Sequence, residues 1–401
     1  MKQLRFKADD GSEFPDLEEK RLGDITKKVS RKGENSDADV RMISQGNGFI
    51  LQANKYSREN AGGSLKKYTL LKRDEFAYNH GASKAKPYGV CYRLCESDEA
   101  RVPYVYHTFK LVDGNVDYWN CALNTSYMDR QLKKLVSSGV RMDGLLNIKY
   151  DSYMSVEIHV PSLQEQQKIA DFLSTIDTVI EKQKATVEAW KERKKGVMQK
   201  LFSQEVRFKA DDGSEFPDWE EKKIGDVCNT FSGGTPKSGN DRYYENGTIN
   251  FIRSGEIHGS NTELSITEDG LNESSAKLVV IGDILYALYG ATSGEVDISK
   301  INGAINQAIL CIRPIDGYDR KFIVEILRYN KENILRKYLQ GGQGNLSAQI
   351  IQGLHFEFPC LVEQQKISEC LSLLDDVIEK QKVTLATWKE MKKGLLQQMF
   401  V

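Results

Sequence analysis

Long apolar runs are scarce in this chain. The longest, Leu278 to Ala291, is interrupted by Gly282 and Asp283 and is too broken to cross a bilayer. The opening residues MKQLRFKADDGSEF hold no apolar core segment, so no signal peptide is read there. An excess of one charge is also missing: 56 Lys and Arg stand against 57 Asp and Glu, a formal net charge of -1. Bulk charge therefore does not announce a nucleic-acid partner. Any such surface must come from basic side chains sorted onto one face. Cysteine is sparse, with seven scattered residues. Cys91 and Cys95 are the only close pair and lack a second pair to complete a zinc site. Free thiols in a reducing cytoplasm are expected.

Catalytic signatures are missing too. Ser232-Gly233-Gly234-Thr235-Pro236-Lys237 is glycine-rich but does not continue into a phosphate loop, and Gly290-Ala291-Thr292-Ser293-Gly294 lacks the lysine. Pro15, Asp16, Glu18 and Lys20 spell the letters of a PD…ExK nuclease site, and Pro217, Asp218, Glu220 and Lys222 repeat them. The spacing is too tight, because such a site takes its carboxylates from separate strands to reach one metal. A solvated turn leading into a strand is the simpler reading. The five histidines form no H-E-x-x-H, and no G-x-S-x-G elbow is present. The N-P-P-[YF] and D-P-P-[YF] tetrapeptides of amino-methyltransferases are absent as well. No catalytic residue and no metal ligand is assigned.

What the chain does have is repetition. Glu165 to Phe202, EQQKIADFLSTIDTVIEKQKATVEAWKERKKGVMQKLF, recurs as Glu363 to Phe400, with 23 of 38 positions identical. No proline interrupts either copy. Apolar residues step by four and three: Ile169, Leu173, Ile176, Ile180, Val187 and Trp190, then Val197 and Leu201. The second copy has Ile367, Leu371, Leu374, Ile378, Leu385 and Trp388, then Leu395 and Met399. Gln183 and Lys194, with Gln381 and Lys392, fill the remaining seam positions. This alternation predicts a long helix packed along one seam on another helix, roughly 55 Å long at ~1.5 Å per residue. Identity extends to the polar face, which core packing alone does not require. A second repeat opens each half: Leu4 to Ile25 and Val206 to Val227 match at 17 of 22 positions. The chain thus holds two copies of one plan, with an opening block, a divergent middle and a long helix.

Each middle reads as a mixed α/β globule. Strands are predicted at 40–44, 49–52, 68–71, 76–78, 88–92, 104–111 and 156–160, and then at 249–252, 278–280, 284–288, 308–312 and 355–359. Helices are predicted at Asn120–Ser137 and at Phe322–Leu339, the latter ended by Gly341-Gly342. The loops between strands carry polar and basic residues suited to DNA. In the first middle these are Lys66, Lys67, Tyr68, Asn79, His80, Ser83, Lys84 and Lys86. In the second they are Thr235, Lys237, Arg253, Ser254, Tyr289, Thr292, Ser293, Asn306, Gln307, Gln343 and Asn345. Lys and Arg suit phosphates and guanine edges, and Asn or Gln can pair bidentately with adenine. Ordinary solvated loops would have a similar composition.

The ordered motifs resemble the specificity subunit of type I restriction-modification enzymes. They are VPSLQEQQKIADFLSTID and FPCLVEQQKISECLSLLD, the Phe-Pro-Asp-x-Glu-Glu-Lys-x-x-Gly-Asp openings, and SGGTPKSGNDRYYENGTINFIRSGEI followed by ITEDGL, GATSG and INQA. EFAYNHGAS in the first middle matches a looser variety of the same domain. The resemblance implies a mixed α+β fold with two target-recognition domains held apart by an antiparallel coiled-coil pair of long helices, in pseudo-twofold duplication. The expected divisions are 1–163, 164–203, 204–362 and 363–401. Each domain would read one half of a split, asymmetric site in double-stranded DNA. The helices would set the spacer and dock two modification subunits, with restriction subunits joining them. S-adenosylmethionine, ATP and magnesium are expected in those partners, with no cofactor in this chain, and the complex is expected in the cytoplasm. The first half has no GGTP-type segment, so its DNA loops are placed only by position. Antiparallel pairing would set Gln183 near Gln381, a polar pair able to fix register. Inserting about four residues into one helix, roughly 6 Å at ~1.5 Å each, should lengthen the spacer without changing either half-site. The competing readings are a methyltransferase or nuclease acting alone, and a coiled-coil adaptor for two protein ligands.

Overall fold

Residues 3–34, 36–44, 46–54, 62–81, 83, 86–136, 146–339 and 345–400 are described by a computed structural model of the chain. Both repeated runs are helical, Leu163–Phe202 and Leu361–Met399, each beginning two residues before its repeat. Straight-chain residues dominate their outer faces, and no proline interrupts the hydrogen-bond ladder. Of the expected seam residues, Ile169, Leu173, Ile176, Ile180, Val187, Ile367, Leu371 and Ile378 are buried. Gln183, Trp190, Leu374, Gln381, Leu385 and Trp388 are half-buried.

The chain divides into two compact units, residues 1–184 with 383–401, and residues 185–382. Each unit holds the first half of one long helix and the second half of the other. In the first unit the halves run antiparallel: Lys392 pairs with Asp177, while Met399 and Phe400 share a core with Ile169 and Leu173. In the second, Lys194 Nζ lies 2.7 Å from Asp375, and Met198 and Leu201 share a core with Ile367 and Leu371.

The two middles lack comparable sequence identity yet build the same antiparallel sheet. In the first unit its strands are Thr26–Lys28, Phe76–Asn79, Val90–Arg93 and His107–Leu111; the last lies between the first and second in space. In the second unit Cys228–Ser232, Ile284–Ala287, Val296–Ile298 and Ile309–Pro314 follow the same order. Two helices, a short helix and a late strand follow in both. The late strands, Glu157–Val160 and His355–Phe358, pair with Glu18–Arg21 and Glu220–Lys223 of the opening blocks. Outside this frame the units differ. The first adds two hairpin-like pairs, Arg41–Ser44 with Gly48–Leu51 and Thr69–Lys72 with Glu99–Val102. The second adds a four-stranded sheet in which Ile249–Ile252 runs parallel to Gly303–Ile305, flanked by Ser265–Ile266 and Lys277–Val279.

Several boundaries depart from the sequence expectation. The helix expected at 120–137 is two helices, Val116–Ala122 and Ser126–Leu135, because Thr125 turns out of the first and caps the second at the Met128 N–H. The helix expected at 322–339 is likewise Arg320–Tyr329 and Lys331–Tyr338, separated at Asn330. Its expected terminator, Gly341-Gly342, lies outside the described residues. The strand expected from 104 begins at His107, and Glu99–Val102 before it is a strand of its own.

The structure also explains why the polar face of the repeat is duplicated. Glu165 is buried at the start of its helix and receives both Arg5 Nε (3.1 Å) and Nη2 (2.6 Å). Glu363 receives Arg207 in the same way, at 3.1 and 2.8 Å, and also Trp219 Nε1 at 3.1 Å. Gln166 Nε2 donates to the Pro161 carbonyl, and its Oε1 accepts the Asn115 backbone N–H at 2.9 Å. Gln364 repeats this with Pro359 and the Asp319 N–H at 2.8 Å. Lys168 binds the Lys7 carbonyl and Asp9, and Lys366 binds the Lys209 carbonyl and Asp211. These polar side chains fasten the opening block and the middle to the helix start, which apolar packing alone would not position.

Candidate nucleic-acid interface

In the second unit, strand register gathers the loops at one rim. Ile252 and Ile305 pair in parallel, so Arg253 and Asn306 leave their strands at the same end. Ser232 pairs with Leu310 and Ala287 with Ile309, which brings the segment from Gly233, the Ala308 turn and the Leu288–Gly294 turn to that end. Leu346 N–H donates to the Leu288 carbonyl at 3.1 Å, which adds Asn345. Thr235, Lys237, Gln307 and Asn345 are exposed there, and Ser254, Tyr289, Thr292, Ser293 and Asn306 are half-exposed. Thr235 Oγ1 lies 2.6 Å from Gln307 Oε1 and ties two of the loops together. The glycines before Thr235 permit this close approach. A Cβ on Gly233 would stand 1.8 Å from the Ile305 carbonyl oxygen, and one on Gly234 would stand 2.5 Å from Ser275 Cβ.

Carboxylates lie beside several basic side chains of this unit. Arg253 forks onto Glu256 and also binds Glu263. Arg253, expected as a DNA contact, thus has its guanidinium held between two carboxylates. His258 lies between Asp297 (2.8 Å) and Glu295 (3.4 Å), and Arg242 between Asp269 and Glu273. Lys237 has no carboxylate partner among the described residues. Gln343 lies outside the described residues.

In the first unit two of the expected contact residues are buried, His80 and Tyr68. His80 is buried, and both ring nitrogens face backbone carbonyls, Leu146 at 2.8 Å and Val105 at 2.9 Å. It stitches loops together. Tyr68 is 7% exposed and so presents little of its ring. Asn79 and Lys86 are half-buried and occupied: Asn79 Oδ1 accepts the Gly81 N–H, and Lys86 Nζ donates to the Asn124 carbonyl. Lys66, Lys67 and Ser83 are exposed, and Lys84 lies outside the described residues.

A further group in this unit escaped the sequence reading. Lys28 ends the first sheet strand, and Ser30, Arg31 and Lys32 follow it where Ser232, Gly233 and Gly234 stand in the second unit. Together with Lys67, Tyr68, Tyr104, Tyr106, His107 and Tyr150 they line a cleft of about 310 Å³. Lys28 Nζ stands 4.6 Å over the Tyr150 ring and Lys67 Nζ 6.0 Å over Tyr104, which is 55% exposed. Burial holds His107 below the ordinary imidazole range, so it adds no charge near neutral pH. The signal was in the sequence, as the basic run Lys27-Lys28-Val29-Ser30-Arg31-Lys32.

Among the described residues no group of three or more His, Cys, Asp or Glu is placed to hold a metal ion. Glu18 and Lys20 pair with each other at 2.7 Å along one strand, as do Glu220 and Lys222 at 2.8 Å. No described helix is long and apolar enough to cross a membrane.

Comparison with known proteins gives this rim its context. The model of the type I restriction modification DNA specificity domain matches residues 111–189 and 217–386. The MjaVIII specificity subunit of Methanocaldococcus jannaschii is 25% identical over 305 residues, 72% of this chain and 69% of that one. The EcoR124I/EcoR124II specificity subunit of Escherichia coli is 26% identical over 164 residues, 39% of this chain and 41% of that one. Among solved structures, the type I restriction-modification S subunit from M. genitalium aligns over 100% of this chain and 99% of that one, with TM-score 0.54 at 15% identity. A chain from a type I restriction-modification system studied for its assembly and conformational transition aligns over 96% and 98%, with TM-score 0.59 at 17% identity. These likenesses share the fold. The family model spans more than half of the chain, and the chain belongs to the type I restriction-modification specificity subunits, the DNA-recognition components that assemble with other subunits of such systems and are not themselves catalytic.

Proposed function

We propose that the two units are dissimilar readers of one bipartite, asymmetric DNA site, each taking one half. The observation that carries this is the pairing of a duplicated frame with unlike rims. Sheet order and helix-start clamp repeat, yet one rim offers a cationic, tyrosine-rich cleft and the other a glycine-threonine loop tied to Gln307. Two copies of one reader would need only one rim chemistry. The long helices set the unread spacer and dock two modification subunits, and restriction subunits complete the complex in the cytoplasm. S-adenosylmethionine, ATP and magnesium are used in those partners. The test is co-expression with the cognate modification subunits, then methylation-sensitive sequencing of host DNA. One methylated motif with two different halves and a fixed gap is expected. A palindromic or unbroken motif would refute the two-reader reading. Methyl transfer by the purified chain alone would refute the division of labour.

A further inference from the structure

We propose that the cleft of the first unit grips the DNA phosphodiester backbone, with Lys28, Lys32 and Lys67 as phosphate contacts and Tyr104 flanking them. The proposal rests on the DNA-reading role above and adds to it how the first reader is held in register. Four cations line the cleft and no carboxylate does. Arg31 is neutralised from behind by Glu75. Lys28, Lys32 and Lys67 are exposed and have no carboxylate partner among the described residues. Other exposed cations of this unit are paired, Lys7 with Glu13, Lys72 with Glu99 and Arg73 with Asp98. Three unmatched ammonium groups around one concavity repel one another, and a polyanion relieves that repulsion.

The backbone fixes where these lysines stand. Gly33 N–H donates to the Tyr68 carbonyl at 2.8 Å and Leu70 N–H to the Arg31 carbonyl at 2.8 Å. Val29 N–H donates to the Thr108 carbonyl at 3.0 Å, and Thr108 Oγ1 returns a bond to Val29 at 2.7 Å. The segment is thus stitched on both sides, to the strand at Thr69–Lys72 and to the one at His107–Leu111. Lysine presents a point charge without a fixed hydrogen-bond fork, so it suits phosphate better than a particular base edge. Contacts of this kind position a reader and carry no sequence information. The equivalent segment of the second unit, Thr230 to Gly234, carries no cation.

The experiment uses the complex with its modification subunits, a duplex carrying the methylated motif, and a scrambled duplex. Each lysine that neutralises a phosphate releases condensed counterion from the duplex, which adds about 0.9 to the salt slope. K28Q/K32Q/K67Q should lower the slope by about 2.7 and weaken binding roughly 100-fold near 0.15 M salt. The loss should be equal on both duplexes, and the methylated motif should stay unchanged. K27Q/K110Q removes exposed charge from the paired strands Thr26–Lys28 and His107–Leu111, outside the cleft, and should leave the slope near wild type. An unchanged slope in the triple variant overturns the proposal, as does an equal loss per lysine in the control pair. A changed motif overturns it by making these lysines base readers. Loss of subunit assembly with an intact slope overturns it in favour of a protein dock. A wild-type complex that binds both duplexes alike refutes the DNA-reading role itself, and the cleft proposal with it.

Discussion

Arg5→Ala probes the clamp at the start of the first long helix. The Glu165 side chain is 1% exposed, and Arg5 is the only side chain donating to its carboxylate among the described residues. Removing Arg5 strands a buried charge, which costs about 3–5 kcal/mol. Removing both ends, as in Arg5→Met with Glu165→Leu, should cost far less, because a buried ion pair and an apolar pair of similar volume are often near parity. The chain has two compact units, so a single melting curve need not be two-state. Hydrogen exchange read on residues 163–175 reports the first unit directly. At about 1.4 kcal/mol per decade, Arg5→Ala should speed exchange there by two to nearly four orders of magnitude, up to the limit of global stability. The double variant should stay within about one order of wild type. Equal acceleration in both variants, or none in Arg5→Ala, would show that the fork does not hold the helix start.

Other expectations follow from the same geometry. Lys194→Met should cost about 2–3 kcal/mol, because Glu325 (6% side-chain exposure) loses a partner, whereas Lys392→Met should cost no more than about 1 kcal/mol, since Asp177 is 49% exposed. Chemical denaturation of the two variants checks this, and equal costs would count against it. Gly196→Ala and Gly394→Ala should each stabilise their helix by about 1 kcal/mol, because an added Cβ meets nothing within 4 Å; a lower melting temperature contradicts the reading. Burial pushes the Asp283 carboxyl up, but the Arg313 fork and the Val280 N–H more than reverse this and hold it below its ordinary 3.8. Its stabilisation is complete above 3.8 and drains as pH falls through the lower folded-state value. Asp283→Asn should flatten the acid limb of stability in the second unit, measured by exchange across Ile284–Ala287; an unaltered limb would refute this. Gly233→Ala should disturb the second reader alone, because the new methyl collides with the Ile305 carbonyl. Loss of one half of the methylated motif with the other half kept is the expected outcome in sequencing.

The frame was legible in the sequence where its signal is local. The four-three spacing and absence of proline marked both long helices, and two repeats marked the duplication. The common sheet of the middles was not legible, because its register depends on strands far apart in sequence, such as Thr26 opposite Leu111, and different side chains satisfy the same pairing. Thr125 and Asn330 split two expected helices with capping and turn chemistry that apolar periodicity passes over. Site residues divide in the same way. Thr235 and Gln307 were named separately, and only the fold put them in contact. His80 looked like a loop ligand because composition cannot tell a histidine facing solvent from one facing the Leu146 and Val105 carbonyls. The lysines at 28 and 32 were visible as a basic run. Their lack of carboxylate partners, which makes them functional candidates, exists only in three dimensions.

Among the described residues the hydrogen bonds from the amides of Gln166 and Gln364 to their middles go to backbone: the N–H groups of Asn115 and Asp319, the proline carbonyls before each helix and, for Gln364, the Gly317 carbonyl. A fastener that grips main chain is indifferent to the letters of what it fastens. Asn115 and Asp319 already differ, and the socket closes on both with the same bond. An unrelated middle that ends in the same helix–strand–proline geometry would seat in it without any change to the long helix. In mechanical terms the duplicated glutamines are a latch that holds two different middles by their main chain.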